Sequence, residues 1–341
     1  MKCGRVSSWL LVFSMLLSYG CRKDLCYDHD MHGLSVSVAL LPEWEQEWER
    51  DYGAGWQDNW PEKHGMEYDE LRPDVATGIA SFVYHDDGSH TERHLPGEGG
   101  ALPMTEGEKQ ILLYNNDTRY IVFDAIHISS MAMASTRTRS RATYSRDHAG
   151  ERTVNAPDML YGAWIESFTA TPTAEPVPLA VTMRPLVYTY LIRYEFDEGL
   201  EHVSLARGAL SGMAESVYLQ DGRTGENAAT ILFDCEIKDY GVEMILTSFG
   251  VPDYPGDHYV RQNDGQTTGQ QQSLNLEVML KNGSLKNFNF DVTDQLATQP
   301  RGGVVTVSGL TVTDEEAGSD SGFVVDVDGW GEYEDIELPL N

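Results

Sequence analysis

Leu274-Asn-Leu-Glu-Val-Met-Leu280, then Lys281-Asn282-Gly283-Ser284, then Leu285-Lys-Asn-Phe-Asn-Phe-Asp-Val292 is the stretch that decides the fold. Leu274, Leu276, Val278 and Leu280 recur at every second position, and so do Phe288, Phe290 and Val292. A period of two places each set on one face of a half-buried strand. Asn282-Gly283 lies between the runs, and both residue types tolerate positive φ, so the pattern predicts a type I′ hairpin turn.

The same period extends outward from this hairpin. In Ile231-Leu-Phe-Asp-Cys-Glu-Ile-Lys238, the side chains of Ile231, Phe233, Cys235 and Ile237 share a face. Leu34, Val36, Val38 and Leu40 do the same near the start. Strand candidates fall at 34–41, 77–84, 109–115, 119–125, 160–169, 185–197, 213–220, 228–238, 242–249, 273–280, 285–292, 303–312 and 322–327. Many short strands with Gly- and Asn-bearing turns predict an all-β protein of antiparallel sandwiches. Pro42 to Asp58 breaks the alternation and predicts a short helix or an irregular insertion. It begins a tryptophan-rich segment with Trp44, Trp48, Trp56 and Trp60.

With 341 residues the chain is long enough for about two domains. Residues 131–156 hold Arg137, Arg139, Arg141, Arg146 and Arg152 with little apolar periodicity, which suggests a boundary. The expected division is 21–150 and 151–341. The arginines read either as a linker neutralised by nearby acids or as a protease-sensitive site.

Ahead of both domains, Lys2 and Arg5 precede an apolar run from Trp9 to Leu17. That run is too short to span a bilayer and reads as a secretory signal, residues 1–20. Leu17-Ser-Tyr-Gly-Cys21 resembles a bacterial lipobox, so Cys21 is expected to carry acyl chains such as palmitate. Several chains on one residue anchor stably, at about 0.8 kcal/mol per buried CH₂. The expected location is the outer membrane, lipid-anchored at the cell surface. Cys26 and Cys235 then sit in an oxidising compartment, as a disulfide or with Cys235 as a buried thiol.

The 54 acids against 24 bases give a formal charge of −30. Such a body is repelled by nucleic acids and by anionic head groups. No catalytic motif stands out. Gly208-Ala-Leu-Ser-Gly212 lacks nucleophile-elbow spacing, and Gly97-Glu-Gly-Gly100 lacks the strand-to-helix context of a phosphate loop. Asp28-His29-Asp30 with His32 reads as a solvated polar segment. Asp326, Asp328 and Glu337 match part of a calcium loop, but Trp330 stands at a ligand position and the flanks look like strands. No metal and no cofactor are expected. The tryptophans beside Glu45, Glu47, Glu49 and Asp51 read either as packing against a sheet or as a sugar-binding surface.

Six stretches in order carry a family resemblance. They are Cys21-Arg-Lys-Asp-Leu-Cys26-Tyr-Asp-His29, Ile111-Leu-Leu-Tyr-Asn115-Asn116-Asp117-Thr and Pro157-Asp-Met-Leu-Tyr-Gly162. Then come Arg207-Gly-Ala-Leu-Ser-Gly212-Met-Ala-Glu-Ser-Val-Tyr218, Thr247-Ser-Phe-Gly250 and Asn289-Phe-Asp291-Val-Thr293-Asp. Together they resemble the FimB-type fimbrial anchor lipoproteins of Bacteroidetes, in particular a gut branch of unknown function among fimbrillin-like proteins. The resemblance implies two tandem transthyretin-like antiparallel β-sandwich domains, no enzymatic activity and a membrane lipid anchor. Its implied partners are pilin-like subunits of a fimbrium, joined by strand exchange. The alternative is a surface lipoprotein that binds a host or dietary glycan through Trp44, Trp48, Trp56 and Trp60.

Overall fold

The computed structural model describes residues 36–50, 55–140, 148, 150–173, 175–254, 271–318, 329–330 and 334–335. The signal segment, Cys21, Cys26, the 28–32 cluster, the 322–327 strand candidate and Asp326, Asp328 and Glu337 lie outside them.

The first sheet runs in the order β3 (His90–Pro96), β2 (Gly78–His85), β5 (Gly107–Asn115), β10 (Tyr161–Ala170), β11 (Val177–Pro185), β1 (Ser37–Trp44) and β4 (Gly100–Pro103). β10 and β11 pair only at Tyr161 with Pro185 and at Gly162 with Arg184. The sheet folds over at that corner. Leu40, Leu102, Val181 and Met183 then pack onto Ile79, Val83, Ile111, Leu113 and Ala163 as a sandwich core.

The second sheet repeats the plan. Its order is β18 (Leu285–Asp291), β17 (Ser273–Leu280), β13 (Val203–Ala214), β15 (Ala228–Ile237), β16 (Gly241–Ser248), β12 (Tyr188–Glu198) and β19 (Gly303–Thr311), with β9 (Thr153–Val154) beside β15. The corner here is the short β15–β16 pairing at Glu236 and Ile237. Tyr190, Ile192, Tyr194, Val305 and Val307 face Leu210, Ile231, Phe233, Leu274, Leu276 and Val278 across this core. Parallel pairs stand among antiparallel ones: β1 with β11 in the first sandwich, and β12 with β19 and the short β9 with β15 in the second. The all-β, two-sandwich expectation holds.

Two small sheets join the sandwiches. β6 (Ile121–Asp124) and β7 (Met133–Thr136) pair with β14 (Ser216–Tyr218), which follows β13. β8 (Arg139–Ser140) pairs with β20 (Glu334–Asp335) near the C-terminus. Ala80, Phe82, Tyr84, Leu112 and Tyr114 meet Leu186, Val187, Val217, Leu219 and Phe249 in one apolar cluster between the sandwiches. β2 therefore buries both faces, which explains why Ile79–Tyr84 is apolar except for the buried Ser81.

The first sheet's β11 ends at Pro185 and the second sheet's β12 begins at Tyr188, while β9 at Thr153–Val154 already lies beside β15. Two expectations are corrected. The arginine-bearing 131–156 stretch is not a plain linker: it contains β7, β8 and β9, and Arg152 pairs with Glu215 at 3.0 Å. The hairpin turn is a three-residue loop. Leu280 N–H donates to Ser284 O at 2.8 Å, and Gly283 alone takes positive φ, at 82°. Asn282 instead accepts from Ser284 N–H at 2.9 Å through its side chain.

The 45–72 insertion lies across the outer face of β12 and β19. Trp48, 1% exposed, packs with Leu71 on Leu191 and Val304. Trp48→Ala should lower unfolding stability by about 3–5 kcal/mol, the usual cost of emptying a large aromatic site. Chemical denaturation of the two proteins checks this; a change near zero would mean that the insertion does not hold the sandwiches together.

Candidate functional site

Three features could carry function: the tryptophan insertion, a polar joint built from the family-like motifs, and the sheet edges. The insertion leaves β1 at Trp44 and passes two 3₁₀ turns, Glu62–His64 and Tyr68–Leu71. It is the irregular insertion expected, with no α-helix among its described residues. Its backbone is fixed to the second sandwich, since Thr189 N–H donates to Trp48 O at 2.8 Å and Arg50 N–H to Arg301 O at 2.7 Å. Gly302 permits this approach: a Cβ there would sit 2.7 Å from Trp48 O, and its φ is +86°.

The four tryptophans do not form a stacking platform. Trp48 meets Trp60 at 82°, and Trp56 meets Trp60 at 70°, each pair edge to face. Trp56 and Trp60 are half-buried against the Trp48 cluster. Trp44 packs edge-on to Tyr161 and donates its Nε1–H to Gly97 O at 3.1 Å. Of the two readings the sequence left open, this geometry supports packing. The Gly97–Gly100 tract, for its part, is the short connection from β3 to β4.

His64 lies under the insertion, 4% exposed. Arg193 donates to its Nδ1 and, at 3.2 Å, to Lys63 O. The Arg193 guanidinium also lies 4.1 Å over the Tyr240 ring. Burial, then the charges of Arg193 and Lys63, push the His64 pKa down to about 4.

The joint forms where two motif stretches meet. Asn115 Oδ1 accepts from Tyr161 N–H at 2.6 Å, and its Nδ2 donates to Met159 O at 3.0 Å and to Asp117 Oδ1 at 2.7 Å. Asp117 also accepts from Thr77 N–H at 2.7 Å. Asp158 accepts from the backbone N–H of Arg119 at 2.7 Å and from that of Tyr120. Burial pulls the Asp117 pKa upward, but hydrogen bonds from Asn115 and Thr77 prevail and hold it below the usual range. Asp74, Asn115, Asp117 and Asp158 line a cavity of about 260 Å³. The side chains of Asn115, Asp117 and Asp158 are engaged in holding the β5–β6 turn to β2 and to the start of β10, and the Asp74 backbone O accepts from Tyr161 Oη at 3.0 Å. Among the described residues no three His, Cys, Asp or Glu side chains gather as a metal site.

Cys235 is a free thiol, and burial, then Asp234, raise its pKa well above the usual value. On the outer face of the second sandwich Arg207 and Glu277 stand opposite each other on β13 and β17, 1% and 3% exposed, with Arg207 Nε donating at 2.6 Å. The Arg207 guanidinium lies 4.1 Å over the Trp330 ring, from the calcium-loop-like stretch. That ring acts as a cover, not as part of a ligand set. The period-two pattern could not reveal this pair, because it sits on the face expected to meet solvent.

The sheet edges differ in protection. β3 carries exposed Glu92, Arg93 and His94, and β4 has only four residues ending in Pro103. β18 has seven residues, alternates exposed and half-buried side chains, and ends its sheet among the described residues. Leu285 on it is 51% exposed.

Residues 67–234 match a family described as "Domain of unknown function (DUF5119)". Over 377 aligned residues the chain is 22% identical to the "Putative fimbrium anchoring subunit Fim4B" of Bacteroides ovatus, covering 100% of each. The resemblance to fimbrial anchors holds. A solved "putative adhesin" from Bacteroides ovatus superposes with a TM-score of 0.57 at 17% identity, covering 84% of this chain and 96% of that one. That likeness extends the two-sandwich fold to a known structure.

The depressed His64 pKa sets a pH dependence. Neutral in the fold and able to protonate near pH 6.5 when unfolded, His64 makes the unfolded state bind more protons between about pH 4 and 6.5. Its contribution to stability is therefore fully present above about pH 6.5 and is lost as pH falls toward 4. His64→Asn, which keeps an acceptor toward Arg193, should flatten this part of the melting-temperature profile. An unchanged slope would remove His64 as its source.

Proposed function

We propose that the chain is a non-enzymatic, lipid-anchored surface protein that holds pilin-like subunits at a fimbrium. The observation that carries this reading is the end-to-end similarity to a curated protein named as a fimbrium anchoring subunit. The two-sandwich fold suits it, because sandwiches present sheet edges to which an extended segment of a partner can add. β18 is the edge we assign to that contact. Its backbone supplies the pairing groups, and its alternating side chains supply the register. Cys21 carries the lipid that holds the body to the outer membrane. No observation favours the glycan reading over this one, since the tryptophan rings are turned edge to face.

The test is affinity capture of the chain from its native cells with mass spectrometry of what accompanies it. Small β-rich exported subunits should co-purify, and Asn287→Lys with Asn289→Lys on β18 should lower their recovery about tenfold or more. Recovery of sugar importers alone would overturn the anchoring role. Full recovery of subunits with the β18 variant would move the contact to another edge. Separately, Cys21→Ala should shift the protein from the membrane fraction to the soluble fraction; retention in the membrane would remove Cys21 as the anchor.

A further inference from the structure

The last described strand of the second sandwich has an unusual neighbour on its open side. β19 pairs with β12 along one edge. Along the other lies a short helix, α1 (Thr293–Thr298), and among the described residues no strand follows β19 in the sheet path. Gln295 Nε2 donates to Thr306 O at 2.9 Å, and Thr306 N–H donates back to Gln295 Oε1 at 3.0 Å. Gln299, just past the helix end, repeats the arrangement: its Nε2 donates to Val304 O at 2.6 Å, and Val304 N–H donates to its Oε1 at 2.9 Å.

Each amide exchanges two hydrogen bonds with a single residue of the strand. That is what one residue of an antiparallel neighbour does at a hydrogen-bonded pair. The two pairs fall at Val304 and Thr306, alternate residues, as a real strand would place them. Residues two apart on a strand are about 6.8 Å apart and a helical turn rises about 5.4 Å, so side chains one turn apart can span them. Leu296, between the glutamines, is fully buried in the sandwich core and fixes the helix in place. Gly303 keeps room for the second amide, since a Cβ there would collide with Gln299 Oε1.

The strand so covered is the kind that needs covering. From Gly302 to Thr313 the sequence Gly-Gly-Val-Val-Thr-Val-Ser-Gly-Leu-Thr-Val-Thr carries no charge. It is rich in β-branched residues, and an uncharged edge of that kind is a template for pairing with its own copy. Two such edges are self-complementary about a two-fold axis, with Val304 of one copy able to face Thr306 of the other. We propose that Gln295 and Gln299 form an edge plug that keeps β19 closed to backbone pairing with a second copy of this chain. The plug does not depend on which proteins the chain meets at its other edges.

The experiment compares the full chain in detergent with Gln295→Ala and with Gln295→Ala/Gln299→Ala. Amide hydrogen exchange at Val304 and Thr306 and mass by sedimentation are the readouts. In the double variant both amides should exchange about tenfold faster than in the parent at concentrations too low for association, while those of Tyr190–Tyr194 on β12 hold. At higher concentration its mass should rise from monomer toward dimer. Adding Thr306→Lys to the double variant should return it to monomer by charging the edge. Unchanged exchange at Val304 and Thr306 overturns the plug. So does a double variant that stays monomeric at every concentration, or a dimer that survives Thr306→Lys. Should the double variant fail to fold because Gln299 is buried, Gln295→Ala alone decides. Gln295 is half-buried, and its loss should speed exchange at Thr306 and start association; no change in either overturns the proposal.

Discussion

β2 and β5 place apolar side chains on both faces, and a strand buried on both faces must be covered on both. Ile79 and Val83 of β2 enter the first sandwich core, while Ala80, Phe82 and Tyr84 enter the cluster shared with the second sandwich. The second sandwich is thus the cover for the outer face of the first. On the other side of the relation, Leu191 and Val304 project from the outer face of the second, and the first sandwich's insertion covers them with Trp48 and Leu71. Each sandwich supplies what the other lacks. The small sheet of β6, β7 and β14 adds backbone pairing to the same junction.

Charge follows the same division between inside and outside. The chain is strongly acidic, yet Arg50, Arg193, Arg207 and Arg301 are each at most 2% exposed. They lie at places where one layer covers another: under the insertion, under Trp330, and beside Tyr188 and Tyr254. A planar guanidinium can stack on a ring while its edge donates hydrogen bonds, which suits such seams better than an ammonium would. Arg207 and Glu277 form a buried pair whose separate loss would strand a charge, so the pair acts more as a condition on assembly than as a source of stability.

Much of the fold was legible because burial on one face leaves a period of two. Leu274, Leu276, Val278 and Leu280 all point into the core as their spacing predicts, and the Ile231 to Cys235 face does likewise until Ile237 emerges at the strand end. β11 escaped notice because Pro178 and Pro185 argue against a strand, although it pairs with β1 along its length. β7 escaped because Met-Ala-Ser-Thr has no strong pattern; its partner β14 comes from the other sandwich. The tryptophans were visible, but which surface they would cover depends on strands far along the chain. The Gln295 and Gln299 contacts leave no local trace at all. They are hydrogen bonds between a helix and a strand edge, and neither residue type nor spacing announces them.

The reach of the insertion has a consequence for how the chain acquires its shape. Its contacts are distant in sequence: Arg193 is 129 residues from His64, and Arg301 meets Arg50 near the far end of the chain. A chain made from its N-terminus delivers Trp48, Trp56 and Trp60 long before the strands they rest on. Until β19 arrives, that aromatic segment has no apolar surface of its own to close upon, and such long-range closure is slow. The strands of the first sandwich are complete at Pro185, yet the insertion that leaves it closes only on the last strands, and until then the Trp-rich segment stays adhesive.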